Sequence, residues 1–272
     1  MSSLCLNWPM NSLELAGQAR RKILLSTHSA KASHVGSALS VVDILAVLYN
    51  SVANVTPSNI SEVSRDRVIF SKGHAASALY SILELTGFID VGSMEKFCSN
   101  GSNFGGHVTH TGKSGVELST GSLGHGLPYG LGIALGLKQT SNEGRVFVII
   151  SDGECNEGTT WESALIGNQF KLDNLVVIID RNKIQSLGHT ETIMQLEPLG
   201  EKWEKFGWEV REINGHSHSE IEEAIRFQTV PLCVIANTVK GKGVSFMEGQ
   251  VSWHYKSLSD SELANALEQI SL

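Results

Sequence analysis

The chain lacks the features that mark several classes of protein. Its four cysteines, Cys5, Cys98, Cys155 and Cys233, lie far apart, and no C-x-x-C pair occurs. That excludes a zinc ribbon and a dithiol redox motif. Four scattered thiols in 272 residues suit a reducing compartment. Basic charge is in deficit: 21 Lys and Arg stand against 28 Asp and Glu, a net charge of −7. A nucleic-acid partner would call for a basic face. The first residues show neither the basic segment nor the apolar run of a secretory signal. The longest apolar stretch, "LSVVDILAVLY", carries Asp43 and is too short to span a bilayer. A cytoplasmic protein with no nucleic-acid or membrane partner is expected. No Pro/Ser-rich linker, repeat or low-complexity tract divides the chain, so one domain over residues 1–272 is expected.

What is present is core-forming. Hydrophobic residues make up 41% and charged residues 18%, which supports a sizeable core and argues against disorder. Short apolar runs at 67–71, 145–151, 174–180, 208–213 and 232–239 read as strands. Helical patterns separate them near 74–87, 158–171, 197–206 and 218–228, a Gly-rich loop feeds a helix within 119–139, and a last helix is expected near 259–270. Two helices precede the first strand. Asn11 with Glu14 forms the capping-box pattern that opens one, and "VVDILAVLYN" (41–50) is the other. All-apolar strands alternating with helices predict a doubly wound, mainly parallel α/β sheet with helices on both faces. Gly130, Gly132 and Gly136 weaken the helix at 119–139 unless another backbone packs closely against it.

In such sheets, ligands bind at the carboxyl ends of strands. One strand there runs into "SDGECNEG" and the next into "DRNKIQS". If the two strands are neighbours, Asp152 and Asn182 converge. Carboxylate and amide oxygens are hard ligands for Mg²⁺ or Ca²⁺, and Mg²⁺ commonly shares its shell with a phosphorylated ligand. Gly153 would let backbone approach a phosphate, and the helix beginning near Gly158 adds a positive dipole end. Spacing alone leaves a second reading open, in which Asp152 caps a helix and Asn182 makes a turn. An EF-hand order and a G-x-G-x-x-G fingerprint after a strand are both missing.

The segments taken together are more specific. "KASHVGSALSVVDILAVLY", "DRVIFSKGHAASALYSILELTGF", "STGSLGHGLPYGLGIALGLK", "DGECNEGTTWESALIGNQFKLDNLVVIIDRNKIQ" and "ANTVKGKGVSFME" resemble transketolase segments, in transketolase order. The length resembles the N-terminal, thiamin diphosphate-binding half of that family, carried as a separate subunit. The resemblance implies transfer of a two-carbon ketol unit from a ketose, or its phosphate, to an aldose. It implies thiamin diphosphate and Mg²⁺ (or Ca²⁺), held by Asp152, Asn182 and the backbone carbonyl of Ile184. Gly153 would donate its N–H to the diphosphate, and Gly121 and Leu123 would line the cofactor. Glu157 would meet the partner's catalytic glutamate. His74 and His254 would contact the diphosphate or the reacting end, and His34 and His107 the ketose hydroxyls. Imidazole suits such work because it donates, accepts and titrates near neutrality.

The pattern is not matched throughout. Ser151 stands where the family commonly has Gly, "HVTH" replaces a His-Pro start, and "WHYK" replaces the usual His-Gly around His254. The glutamate that activates the cofactor lies in the family's second half, so a pyrimidine-binding C-terminal subunit is implied, in an α2β2 heterotetramer. The alternatives are a 2-oxo acid dehydrogenase-type α subunit and a non-catalytic interaction subunit of the same fold. His110 is expected to be solvated, His125 has no assigned role, and His189, His216 and His218 are expected to be exposed. Cys155, among carboxylates, is not expected to be a nucleophile.

Overall fold

The computed structural model describes residues 10–270. The first helix, α1 (Ser12–Ser29), opens as expected: Asn11 Oδ1 accepts from the N–H groups of Leu13 and Glu14, and Glu14 returns a carboxylate to the Asn11 N–H. Helix α2 (Val35–Val47) is longer than its apolar pattern suggested. All 13 of its residues are buried, and a π-helical turn, Leu48–Val52, extends it. Its start was hidden because His34, in the left-handed region at φ 71°, precedes it and makes no side-chain cap. The stretch Val35–Val52 matches a membrane span in length and apolarity, yet 83% of it lies buried inside the fold, as in a core helix.

There follow β1 (Arg67–Phe70), α3 (Ala76–Leu85), α4 (Gly126–Gln139), β2 (Val146–Ser151), α5 (Gly158–Gln169), β3 (Leu175–Arg181), α6 (Thr190–Ile193) and α7 (Leu199–Lys205). The chain continues through β4 (Glu209–Asn214), α8 (His218–Ala224), β5 (Leu232–Asn237) and α9 (Asp260–Gln269). The five strands form one parallel sheet in the order β1-β2-β3-β5-β4. Side chains alternate across it. Phe147, Ile149, Val176, Ile178 and Val234 join the cluster with α1, α2 and α3, whereas Val146, Val148, Val177, Ile179 and Ile235 join α4, α5 and α7. Burial on both faces is why β2, β3 and β5 read as unbroken apolar runs. Strand β4, at an edge, is mostly polar and only partly buried.

The glycines of α4 behave differently from the expectation. A Cβ on Gly130 would meet the Val148 side chain at 2.5 Å, so this glycine seats α4 on the sheet through a side-chain contact, not a backbone one. Gly132 and Gly136 meet nothing within 4 Å and face outward. On that outer side, α4 and α5 expose Tyr129, Leu165, Ile166 and Phe170.

Candidate functional site

Sheet register places the site. Ser151 of β2 pairs with Asp180 of β3, so Asp152 and Asn182 leave two adjacent strands at the same end. Both side chains are buried, and both line one cavity of about 250 Å³. Its lining also includes His34, His74, His107, Gly121, Leu123, Gly153, Ile184 and His254. Ten of the eleven residues singled out from sequence thus surround one space. The eleventh, Glu157, does not line it. Glu157 stands exposed just before α5, and its carboxylate makes no hydrogen bond or ion pair among the described residues.

The end of β2 is braced by a second carboxylate. Glu154 is buried and accepts from Ser71, from the Gly124 N–H and from the Ser151 N–H and hydroxyl. It ties together the ends of β1 and β2 and the loop before α4. Ser151, with extended backbone, sits at the N-cap position of the short 3₁₀ turn Asp152–Asn156, and its hydroxyl donates to Glu154. Cys155 is buried in that turn, and burial pushes its thiol far above the ordinary range, so it is inert.

Asp152 accepts from the Lys183 N–H (2.7 Å), the Arg181 guanidinium (3.3 Å) and the Gly153 N–H (2.8 Å). Arg181 is shared with Glu191 and Glu197, which dilutes its effect. Burial, and then the nearby Asp180, push the Asp152 carboxyl up to about 6. A buried carboxylate whose charge is not fully compensated is a seat for a cation. The Asn182 amide and the Ile184 carbonyl border the same space, so the donors are all hard oxygens, and this set fits Mg²⁺ or Ca²⁺.

Two lysines were not singled out by sequence reasoning, because lysine is by default a solvated residue. Lys72 lies fully buried against Asp180 (2.5 Å), the Ser37 carbonyl (2.7 Å) and the Ser40 hydroxyl (3.0 Å), so its three donors are used. Lys240 reaches the His254 Nδ1 (2.9 Å) and the Ile184 carbonyl (3.4 Å). Burial, and then Lys72, bring Lys240 down to about 7. The signal for both lay inside quoted segments, "SKGH" and "VKGKG". Ser37, Gln185 and Tyr255 also line the cavity and were likewise missed.

The histidines form a group around His34. Its ring centroid lies 4.9 Å from that of His254, 5.3 Å from His74 and 5.7 Å from His107. The His34 N–H donates to the His254 carbonyl (2.9 Å), which locks the start of α2 to the 3₁₀ turn Val251–His254. Burial first, then neighbouring imidazole and ammonium groups, hold His34 at about 4 and His254 at about 3, and keep His74 well below its usual value. These rings are neutral at pH 7. His107 rides on a loop held by Tyr80, whose hydroxyl accepts from the Thr109 N–H (2.8 Å). Gly73 permits this packing, since a Cβ there would lie 2.5 Å from the Thr120 carbonyl carbon.

Among the remaining histidines, His110, His125 and His189 are exposed. His216 and His218 correct the expectation of exposure. Both reach the buried Asp43 of α2, at 2.7 and 3.0 Å, beside Arg20 at 2.5 Å.

Residues 15–271 match the family model described as the transketolase thiamine diphosphate-binding domain. The chain is 41% identical to one of the subunits of the apulose-4-phosphate transketolase of Phocaeicola vulgatus, over 96% of this chain and 95% of that one. It is 37% identical to the 6-deoxy-6-sulfo-D-fructose transketolase subunit SqwG of a Clostridium species, over 87% and 88%. In structure it resembles the transketolase of Campylobacter jejuni with a TM-score of 0.88 at 32% identity, covering 96% of this chain and 43% of that one. The chain belongs to the transketolase family, as its thiamin diphosphate-binding part. It spans less than half of the matched transketolases of known structure, and nearly all of the relatives named as single subunits.

Proposed function

We propose that this chain is the diphosphate-binding subunit of a two-chain, Mg²⁺-dependent transketolase. With a pyrimidine-binding partner, in an α2β2 assembly in the cytoplasm, it moves a two-carbon ketol unit from a ketose or ketose phosphate to an aldose. One observation carries the reading: a single cavity joins a hard-oxygen donor set to four clustered imidazoles, and Asp152 is the one carboxylate among its described lining residues. Asp152 is committed to the cation. The carboxylate that activates the cofactor's pyrimidine is assigned to the partner subunit.

Bound thiamin diphosphate supplies a nucleophilic carbon and an electron sink for breaking the bond beside a ketose carbonyl. Asp152, Asn182 and the Ile184 carbonyl would hold the Mg²⁺ (or Ca²⁺) that accompanies the diphosphate. Gly153 would offer its N–H to the diphosphate, and Lys240, behind His254 and the Ile184 carbonyl, would add positive charge nearby. Gly121 and Leu123 would line the cofactor. His74 and His254 border the reacting end, while His34 and His107 hydrogen-bond sugar hydroxyls and take or return a proton. Glu157, exposed and without a partner among the described residues, is free to meet the partner's glutamate. The family match decides between transketolase and a 2-oxo acid dehydrogenase-type subunit in favour of the former. Two relatives are named for apulose 4-phosphate and 6-deoxy-6-sulfo-D-fructose, so an unusual ketose falls within the proposed substrate class.

The test is co-purification from source cells with this chain as bait, in thiamin diphosphate and Mg²⁺, read by native mass and then by ketol transfer. A partner of similar size and an active complex are expected. A chain that only self-associates and binds no thiamin diphosphate would favour a non-catalytic interaction subunit.

A further inference from the structure

The rim of the cavity carries a residue that its deeper walls do not explain. Tyr255 follows His254 directly and lines the cavity, yet its side chain is 62% exposed. Its ring stands edge-on to His254, with centroids 4.7 Å apart, and 6.1 Å from the His34 ring. Its hydroxyl has no hydrogen-bond partner among the described residues. A large aromatic at a cavity mouth, beside two imidazoles and with an unused hydroxyl, offers a ligand both an apolar face and a polar tip.

Charge narrows what it can recognise. Phosphate and sulfonate groups are read by Arg and Lys. Among the described lining residues the one cation is Lys72, buried with its donors used, and Lys240 lies behind His254 and Ile184. The rim of this chain therefore offers neutral donors, neutral acceptors and an aromatic face. Those suit the hydroxyls and C–H faces of a sugar. The family-like His-Gly pair would leave this corner open, and here a phenol fills it.

We propose that Tyr255 is a specificity-determining residue, its hydroxyl and ring edge reading the hydroxyl-bearing carbons of the sugar beyond the two that are transferred. This rests on the transketolase reading and deepens it. The side chain sets which ketoses enter, by its width and by one hydrogen bond, and it leaves the cofactor's seat untouched.

The experiment uses the complex of this chain with its second subunit, loaded with thiamin diphosphate and Mg²⁺. Wild type, Tyr255→Phe and Tyr255→Gly are assayed with xylulose 5-phosphate, apulose 4-phosphate and 6-deoxy-6-sulfo-D-fructose as donors. Tyr255→Phe should raise KM for the best donor about tenfold, with kcat within about twofold. Tyr255→Gly should change the ratio of kcat/KM between linear and branched donors by about tenfold or more. Cofactor affinity, read by calorimetry, should stay within about twofold in both. Unchanged KM values and ratios overturn the proposal. So does a parallel loss of cofactor affinity, which would put Tyr255 in the cofactor site. An inactive wild-type complex removes the transketolase reading and this inference with it, whereas an active wild type with indifferent variants removes this inference alone.

Discussion

Lys240 Nζ lies 2.9 Å from the Nδ1 of His254, behind the wall that His254 presents to the cavity. Burial, then Lys240, keep His254 at about 3, and burial, then Lys72, keep Lys240 at about 7. In the cofactor-free protein the ammonium is thus half neutral near pH 7. An anion placed beside it draws the proton back. Thiamin diphosphate binding should take up a proton through Lys240 at pH 8 and almost none at pH 6, with affinity falling up to about tenfold per unit above pH 7. Calorimetry in two buffers of unlike ionisation enthalpy measures the uptake, corrected for the free cofactor. Lys240→Met should abolish the protein's share. Equal heats for wild type and Lys240→Met at pH 8 would take Lys240 out of the site.

Asp152 is expected to trade stability for binding. Its carboxyl is pushed up to about 6 by burial and by Asp180, against an ordinary value near 3.9. A carboxyl raised on folding favours the fold when protonated, so its penalty builds as pH rises between about 4 and 6 and is fully present at pH 7. Asp152→Asn should make the metal-free chain more resistant to urea at pH 7.5 while removing Mg²⁺-dependent cofactor binding. Wild-type loading should also weaken below about pH 6, where Mg²⁺ must displace the proton. A variant that loses stability and keeps Mg²⁺-dependent binding would contradict both halves.

Much of this was legible in the sequence, for identifiable reasons. Strands β2, β3 and β5 announced themselves because burial on both faces leaves no polar position before the strand's last residues. Asp152 and Asn182 were legible because they follow such runs directly, and parallel register does the rest. The start of α2 was not, because His34 enters it from a left-handed conformation without a capping side chain. Nor were Lys72 and Lys240, whose burial depends on Asp180, His254 and Ile184 across the fold. The same holds for His216 and His218. Their partner, Asp43, is more than 170 residues away, and no local pattern encodes such a pairing.

That pairing has its own test. Burial alone would raise the Asp43 carboxyl, yet His216, His218 and Arg20 together hold it well below the usual range. His216 also accepts the Val239 N–H (2.9 Å), next to Lys240, so the cluster anchors the turn that carries the lysine behind His254. Asp43→Asn leaves Arg20 without its carboxylate in a largely buried place and should cost about 3 kcal/mol or more. The difference from wild type should be full above about pH 4, the ordinary carboxylate value, and should shrink as pH falls below it. Urea titrations at pH 7 and pH 3.5 give both numbers. A difference that does not shrink at the lower pH would show that the charge is not what matters.

Glu157 should behave in the opposite way. With no partner among the described residues, Glu157→Gln should change the stability of the free chain by no more than about 0.5 kcal/mol. In the assembled complex the same change should lower kcat about tenfold or more, since the partner's glutamate loses the group that orients it. Parallel measurements on the free chain and on the complex separate the two effects. Full activity in the complex would place Glu157 outside the contact.

The outward face of α4 and α5, with Tyr129, Leu165, Ile166 and Phe170 uncovered, bears on how a cell must handle this chain. A surface of that kind is tolerable while covered and adhesive while bare. If the second subunit is what covers it, surplus copies made without that subunit would be prone to clump or to be degraded. The two messages would then need matched output, and joint transcription, with translation of the pair side by side, would be the simplest way to keep neither chain in excess.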